Sequence, residues 1–209
     1  MFIVLEGPDG SGKTTLAHAL AEHLNHMGLQ VLYTFEPTVD NEYGHEIRRL
    51  LQGEKICDPV HISDLMTADR KYHLKMTILP ALTDGQWVVC DRYKYSALAY
   101  QQMQGVDAHY LIESNRKYQI PDAIFILRPR TVSILLERIA QRSEGTEYFE
   151  KEHFLEGVLE FYNKMTDYFP EENIRFLNAE FSTPDLIEEI IKYLRDDGFL
   201  NGKGVGGIG

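Results

Sequence analysis

Cysteine, long apolar runs and positive charge are all scarce in this 209-residue chain. The two cysteines are Cys57 and Cys90. Cys90 lies in the apolar run at 86–91, where it reads as a buried thiol and not as half of a disulfide. A reducing compartment, the cytoplasm, is therefore expected. No stretch approaches the roughly 18 continuous apolar residues of a membrane span, and the first residues lack the basic segment and apolar core of a secretory signal. Lys plus Arg number 21 against 32 Asp plus Glu, a formal net charge of -11. General attraction to nucleic acid or to anionic membrane is thereby disfavoured, so any anionic ligand must be held by locally placed cations. The eight histidines are scattered. His23 and His26 lie three apart without further ligands near them, unlike a zinc site. No internal repeat is evident, and the only low-complexity piece is the glycine-rich end at 202–209.

With 44% hydrophobic and 25% charged residues, the rest resembles an ordinary soluble domain, and the length suits one domain better than two. Five short apolar runs, at 2–6, 29–35, 86–91, 122–127 and 173–178, alternate with amphipathic segments. Leu16, Leu20, Leu24 and Met27 share one helical face, as do Val132, Leu135, Leu136 and Ile139. Phe154, Leu155, Val158, Leu159, Tyr162 and Met165 repeat the pattern. Leu186, Ile187, Ile190, Ile191 and Leu194 form a last stripe, with Thr183 as expected N-cap, Pro184 at the first helical position and Gly198 just past the end. This alternation predicts a doubly wound α/β fold: a five-stranded parallel sheet with helices on both faces. One domain over 1–198 and a flexible tail over 199–209 are expected.

Gly7-Pro8-Asp9-Gly10-Ser11-Gly12-Lys13-Thr14 follows the first strand and opens the first helix. Glycine, four free positions, then glycine, lysine and serine or threonine is the pattern of a phosphate loop. Its backbone N–H groups converge on phosphate oxygens, the helix N-terminus adds positive potential, Lys13 reaches the β and γ phosphates, and Thr14 can ligate Mg²⁺. Residues 7–15, including Thr15, are the expected ATP contacts. The loop alone leaves open whether the nucleotide is a substrate, a switch or a fuel. A GTPase base-reading element is absent, since Asn115-Arg116-Lys117-Tyr118 departs from Asn-Lys-x-Asp at the lysine and the aspartate.

In an open parallel sheet, ligands bind beyond the carboxyl ends of the strands. Polar residues stand there: Glu36-Pro37 after the second strand, Asp91-Arg92-Tyr93 after the third, Arg128 and Arg130 after the fourth. Asp91 is placed to hold Mg²⁺ directly or through water, and Arg92 to clamp a second phosphate. Two anions meeting at one metal need cations, and Lys13, Arg48, Arg70, Arg92, Arg138 and Arg142 are the candidates.

Residues 7–15, Glu36-Pro37, the stretch 64–82 with Ala68-Asp69-Arg70, Asp91-Arg92-Tyr93, and Ser96 through Ala99-Tyr100-Gln101 together resemble the thymidylate kinase family. The resemblance runs to about Tyr168. It implies a P-loop kinase that phosphorylates dTMP to dTDP with ATP and Mg²⁺, working as a homodimer through helices on one face of the sheet. It further implies that Asp9 meets the deoxyribose 3′-hydroxyl, Arg92 and Arg48 bind the monophosphate, and Arg70 reads the base. Tyr100 would crowd C2′, Ser96 and Gln101 would lie near the base, and Glu36 and Asp91 near the metal and phosphates. Family members carry a catalytic basic residue in the phosphate loop or in a lid. Gly10 and Ser11 being uncharged, a lid at about 138–150 is expected to supply it, through Arg142 first and Arg138 second. Two positions depart from the family: Met66 replaces the phenylalanine that stacks on thymine, and Phe35 replaces an arginine before Glu36-Pro37. A kinase for another deoxynucleoside monophosphate or for a deoxynucleoside, and a nucleotide-driven switch, are the alternatives.

Overall fold

The computed structural model describes residues 1–52, 57–141 and 148–200, with side chains from 152 in the last segment. The apolar runs become β1 (Phe2–Glu6), β2 (Val31–Phe35), β3 (Trp87–Asp91), β4 (Ala123–Arg128) and β5 (Ile174–Asn178). All pair in parallel, in the order β2-β3-β1-β4-β5. Ile3 of β1 stands between Val89 and Ala123. The central strands read as unbroken apolar runs because helices cover both faces, whereas the edge strand β2 is only half-buried along its length.

The helices are α1 (Lys13–His26), α2 (Glu42–Leu51), α3 (Pro59–His73), α4 (Leu79–Thr83), α5 (Lys94–Met103), α6 (Ala108–Asn115), α7 (Val132–Ala140), α8 (Tyr148–Asn163), α9 (Met165–Tyr168) and α10 (Thr183–Asp196). Between α3 and α4, Leu74–Ile78 is wound as a π-helical turn. Pro80, which has no N–H to give to a helical ladder, follows it.

Two details differ from the sequence expectation. Met27 does not continue the buried stripe of α1: that helix stops at His26, and Met27 is its exposed C-cap. The N-cap of α10 is Ser182, not Thr183. The Ser182 hydroxyl accepts from Asp185 N–H three residues on, which places Thr183 inside the helix and Pro184 at its second position. At the other end Gly198 adopts φ 83°, and the Leu200 N–H reaches the Leu194 carbonyl. Leu200, which the sequence assigns to the tail, packs against the α1 and α10 core.

Among the described residues, no helix is long and apolar enough to cross a membrane.

Candidate active site

Each strand of the central sheet delivers its last residue to one rim, and the chemistry collects there. β1 runs into the phosphate loop, whose glycines are set by space as well as by backbone angle. A Cβ on Gly7 would lie 2.5 Å from the Leu127 carbonyl oxygen, and one on Gly10 would lie 2.7 Å from that of Leu135. Gly12, at φ 91°, caps α1 and leaves its N–H groups open to an anion. Lys13 is buried, and its Nζ lies 3.4 Å from Asp9 Oδ1. Burial, with Arg92 close by, lowers the Lys13 ammonium to about 8 despite the attraction of Asp9, Asp91 and Glu6. For Asp9, burial acts upward, but Arg92 and Lys13 prevail and hold the carboxyl at about 2.

Asp91 ends β3 beside the loop. Its Oδ2 accepts from the Thr14 hydroxyl, while its buried Oδ1 has no hydrogen-bond partner among the described residues. The next residue, Arg92, takes a left-handed backbone at φ 71° although it is not glycine. Its guanidinium donates to Asp9 Oδ1, to Ser96 Oγ at 2.9 Å and to the Tyr100 hydroxyl at 3.4 Å, and lies 5.0 Å over the Tyr100 ring. The Asp9 N–H donates to that same hydroxyl at 2.9 Å. Burial works against the Arg92 charge, and the oxygens of Tyr100 and Asp9 more than offset it.

Asp9, Arg92, Ser96 and Tyr100 open onto a cavity of about 410 Å³ whose wall also includes Glu36, Met66, Arg70 and Gln101. Eight of the nine residues assigned to the acceptor from sequence thus meet in one cavity. The ninth, Arg48, is not part of its wall. It donates to the Pro37 and Thr38 carbonyls and lies 5.6 Å over the Phe35 ring. Met66 Sδ is 3.8 Å from Gln101 Nε2, and the buried Gln101 Oε1 has no partner. Arg70 is fully buried. Its Nε and Nη2 grip Glu36 Oε2 at 2.9 and 2.8 Å, and Nη1 donates to Asn115 Oδ1.

A second cavity of about 400 Å³ lies on the other side of the loop. Gly10, Gly12, Thr15, Arg138, Gln141 and Phe181 contribute to its wall. Arg138 does not reach across to Arg92. It donates to the carbonyls of Gly10 and Ser11 at 3.4 Å each and of Ala179 at 3.0 Å. Arg142, with the rest of 142–147 in the expected lid, lies outside the described residues.

Several participants escaped the sequence reading. Glu6, the last residue of β1, is fully buried and accepts from Tyr93, Ser96 and Tyr162. A charge closing an apolar run was the available signal, the same one that drew attention to Glu36 and Asp91. His73 bridges Glu36 Oε1 at 3.2 Å and Thr34 Oγ1 at 2.6 Å. Asp69 accepts from Thr38 N–H, the Thr38 hydroxyl and Asn41, and Asn41 in turn caps α2 by accepting from Gly44 N–H. Nothing local in the sequence announces these two networks. The wall of the second cavity at Gln141 and Phe181 was likewise unforeseen.

Comparison with known proteins agrees with this geometry. Residues 5–190 match the model of the thymidylate kinase family. The chain is 42% identical over 201 residues to a probable thymidylate kinase of Pyrococcus horikoshii, covering 94% of this chain and 96% of that one. It is 34% identical over 199 residues to a thymidylate kinase of Brachyspira hyodysenteriae, covering 95% of each. The crystal structure of thymidylate kinase from Ehrlichia chaffeensis superposes with a TM-score of 0.74 at 26% identity, over 93% of this chain and 98% of that one. A phosphate loop, an acidic strand end beside it and an arginine paired with Asp9 of the loop have the same explanation as this similarity: the chain belongs to the thymidylate kinase family.

Proposed function

We propose that the two cavities divide between them the reaction of this family, the phosphorylation of dTMP to dTDP with ATP as donor. The observation that carries this division is Arg92, whose guanidinium is held against Asp9 of the phosphate loop at the mouth of the 410 Å³ cavity. ATP lies along the loop with its base toward the second cavity, and dTMP fills the first. An oxygen of the dTMP phosphate attacks the γ-phosphorus, the bond from that phosphorus to the β–γ bridging oxygen breaks, and ADP leaves with the electron pair. The acceptor is already a dianion, so no general base is needed.

In this reading Lys13 and the loop N–H groups neutralise the donor, and Arg92 fixes the acceptor phosphate. Asp9 meets the sugar 3′-hydroxyl, Tyr100 crowds C2′, and Met66, Arg70, Ser96 and Gln101 surround the base. Arg48 joins the acceptor phosphate on giving up its carbonyl partners. Arg138 steadies the loop through its three carbonyl bonds, and Arg142 brings the closing charge, Gly10 and Ser11 having none to give. The residues fit a magnesium ion: the partnerless, buried Asp91 Oδ1 and the Thr14 hydroxyl beside it are oxygen donors of the hard type it prefers. When bound, Mg²⁺ neutralises and orients the donor phosphates. Among the described residues no group of three or more His, Cys, Asp or Glu is arranged for a metal, so Asp91 and Thr14 are the protein oxygens that would hold the ion. One domain over 1–198, a cytoplasmic setting and a homodimer complete the proposal. The free thiols of Cys57 and Cys90 support the setting, and exposed Met76 and Leu79 supply apolar surface for a partner.

ADP formation measured with dTMP, dUMP, dCMP, dGMP and UMP tests this reading. The highest turnover is expected with dTMP, with dUMP, which lacks one methyl, trailing by about 10–200-fold. Acceptor-independent turnover would instead identify a nucleotide-driven switch.

A further inference from the structure

We infer that Glu6 is a positioning residue for the acceptor arginine: it anchors the turn that carries Arg92 and sets the direction of the Ser96 hydroxyl on which the guanidinium rests. The inference rests on the acceptor role given to Arg92 above.

Glu6 ends β1, and none of it reaches solvent. Its Oε1 accepts from the N–H groups of Tyr93 at 2.7 Å and Ser96 at 3.2 Å. Oε2 accepts from the Ser96 hydroxyl at 2.6 Å and the Tyr162 hydroxyl at 2.8 Å. Helix α5 has Tyr93 as its N-cap and no capping side chain of its own. Tyr93 and Ser96 supply the two N–H groups that a capping box satisfies with two separate side chains. Here one carboxylate oxygen from another strand takes both.

That anchor lies next to the left-handed residue. An arginine at φ 71° is disfavoured by its own Cβ and persists only where both flanks are held. On one side the Arg92 N–H donates to the Leu5 carbonyl at 3.0 Å, extending the sheet. On the other side the Tyr93 N–H donates to Glu6. Leu5 and Glu6 are consecutive, so the end of β1 clamps the turn from both directions and aims Arg92 at the loop that β1 itself enters.

The side chains add a polarity. Ser96 has one hydroxyl proton, and Glu6 Oε2 takes it, so Ser96 Oγ faces Arg92 Nη1 at 2.9 Å as an acceptor. Burial raises the Tyr162 phenol well above its ordinary value, with Glu6 acting in the same direction, which keeps it a donor to that carboxylate. A glutamine at position 6 has one acceptor oxygen instead of two. With that oxygen toward the two backbone N–H groups, its amide would point at Ser96 and Tyr162, and Ser96 would lose the acceptor that orients it.

The test is the binding of dTMP and of thymidine, which lacks the phosphate that Arg92 is assigned, to wild type, Glu6→Gln, Glu6→Asp and Arg92→Ala, with melting temperatures alongside. Glu6→Gln is expected to weaken dTMP about tenfold while thymidine stays within about twofold, and to add less than about twofold in the Arg92→Ala background. If Glu6→Gln does not fold, Glu6→Asp, which keeps two acceptor oxygens but draws them back by one methylene, is expected to show the same split between the two ligands. Equal losses for dTMP and thymidine, or a lowered melting temperature with both affinities unchanged, would show a merely structural cap and overturn the inference. If Arg92→Ala itself shows no split, the acceptor role of Arg92 fails, and this inference with it.

Discussion

The two faces of the sheet are built differently. Against one, α1 and α10 set Leu16, Leu20, Leu24, Leu186, Ile187, Ile190, Ile191 and Leu194 on Ile3, Leu5, Val89 and Leu127, an almost wholly aliphatic layer. Against the other, Tyr93, Tyr95, Tyr162, Met165 and Phe169 lie among Val4, Cys90, Ile124 and Ile126. Glu6, Arg70, His73, Lys94 and Asn115 are buried as well. Lys94 pairs there with Glu172, which also accepts from the Tyr95 hydroxyl. Buried ion pairs of this kind hold a geometry more than they stabilise a fold. The aliphatic face offers apolar burial alone, and the polar face holds side chains that line the 410 Å³ cavity.

That division can be broken from either side. The largest effect is expected at Ile190, which is fully buried on the aliphatic face. Ile190→Ala should cost about 2–5 kcal/mol in a denaturant titration, with both Michaelis constants unchanged; a matching rise in either constant would show that the faces are coupled. A smaller effect, of opposite sign for stability and function, is expected at Lys13. Its ordinary value is 10.5, and burial with Arg92 nearby lowers it to about 8 in the folded chain. Between those values the unfolded chain binds the proton that the folded one has lost, so this group makes the fold more stable as pH rises from about 8 toward 10.5. Capture of ATP needs the ammonium, so kcat/KM for ATP should fall toward tenfold per pH unit above about 8. A flat profile to pH 9.5 would contradict this picture of Lys13.

The aliphatic face was largely legible in the sequence because periodicity carries it. The stripe of α10 and the glycine at 198 follow from spacing and local chemistry, and even the misplaced cap at Thr183 missed by one residue. The phosphate loop was legible for a similar reason: its glycines, Lys13 and Thr14 all fall within the short stretch 7–14 at fixed spacing. On the polar face the family resemblance named Glu36, Arg70, Arg92 and Ser96, but not the bonds that join them. Arg70 meets Glu36 across 34 positions, and Glu6 meets Ser96 across 90, separations that no periodic pattern records. The left-handed turn at Arg92 carried no glycine to mark it. Arg138 read as a lid residue because it continues a helix toward residue 142, and only the folded chain shows its three carbonyl partners.

The central claim is that Arg92 holds the acceptor while the loop holds the donor. Calorimetric titration of dTMP and of ATP, separately, into wild type and Arg92→Ala tests it most directly. The account predicts that dTMP binding weakens at least about tenfold while ATP binding changes less than about twofold. Equal weakening of both ligands, or loss of ATP alone, would contradict it.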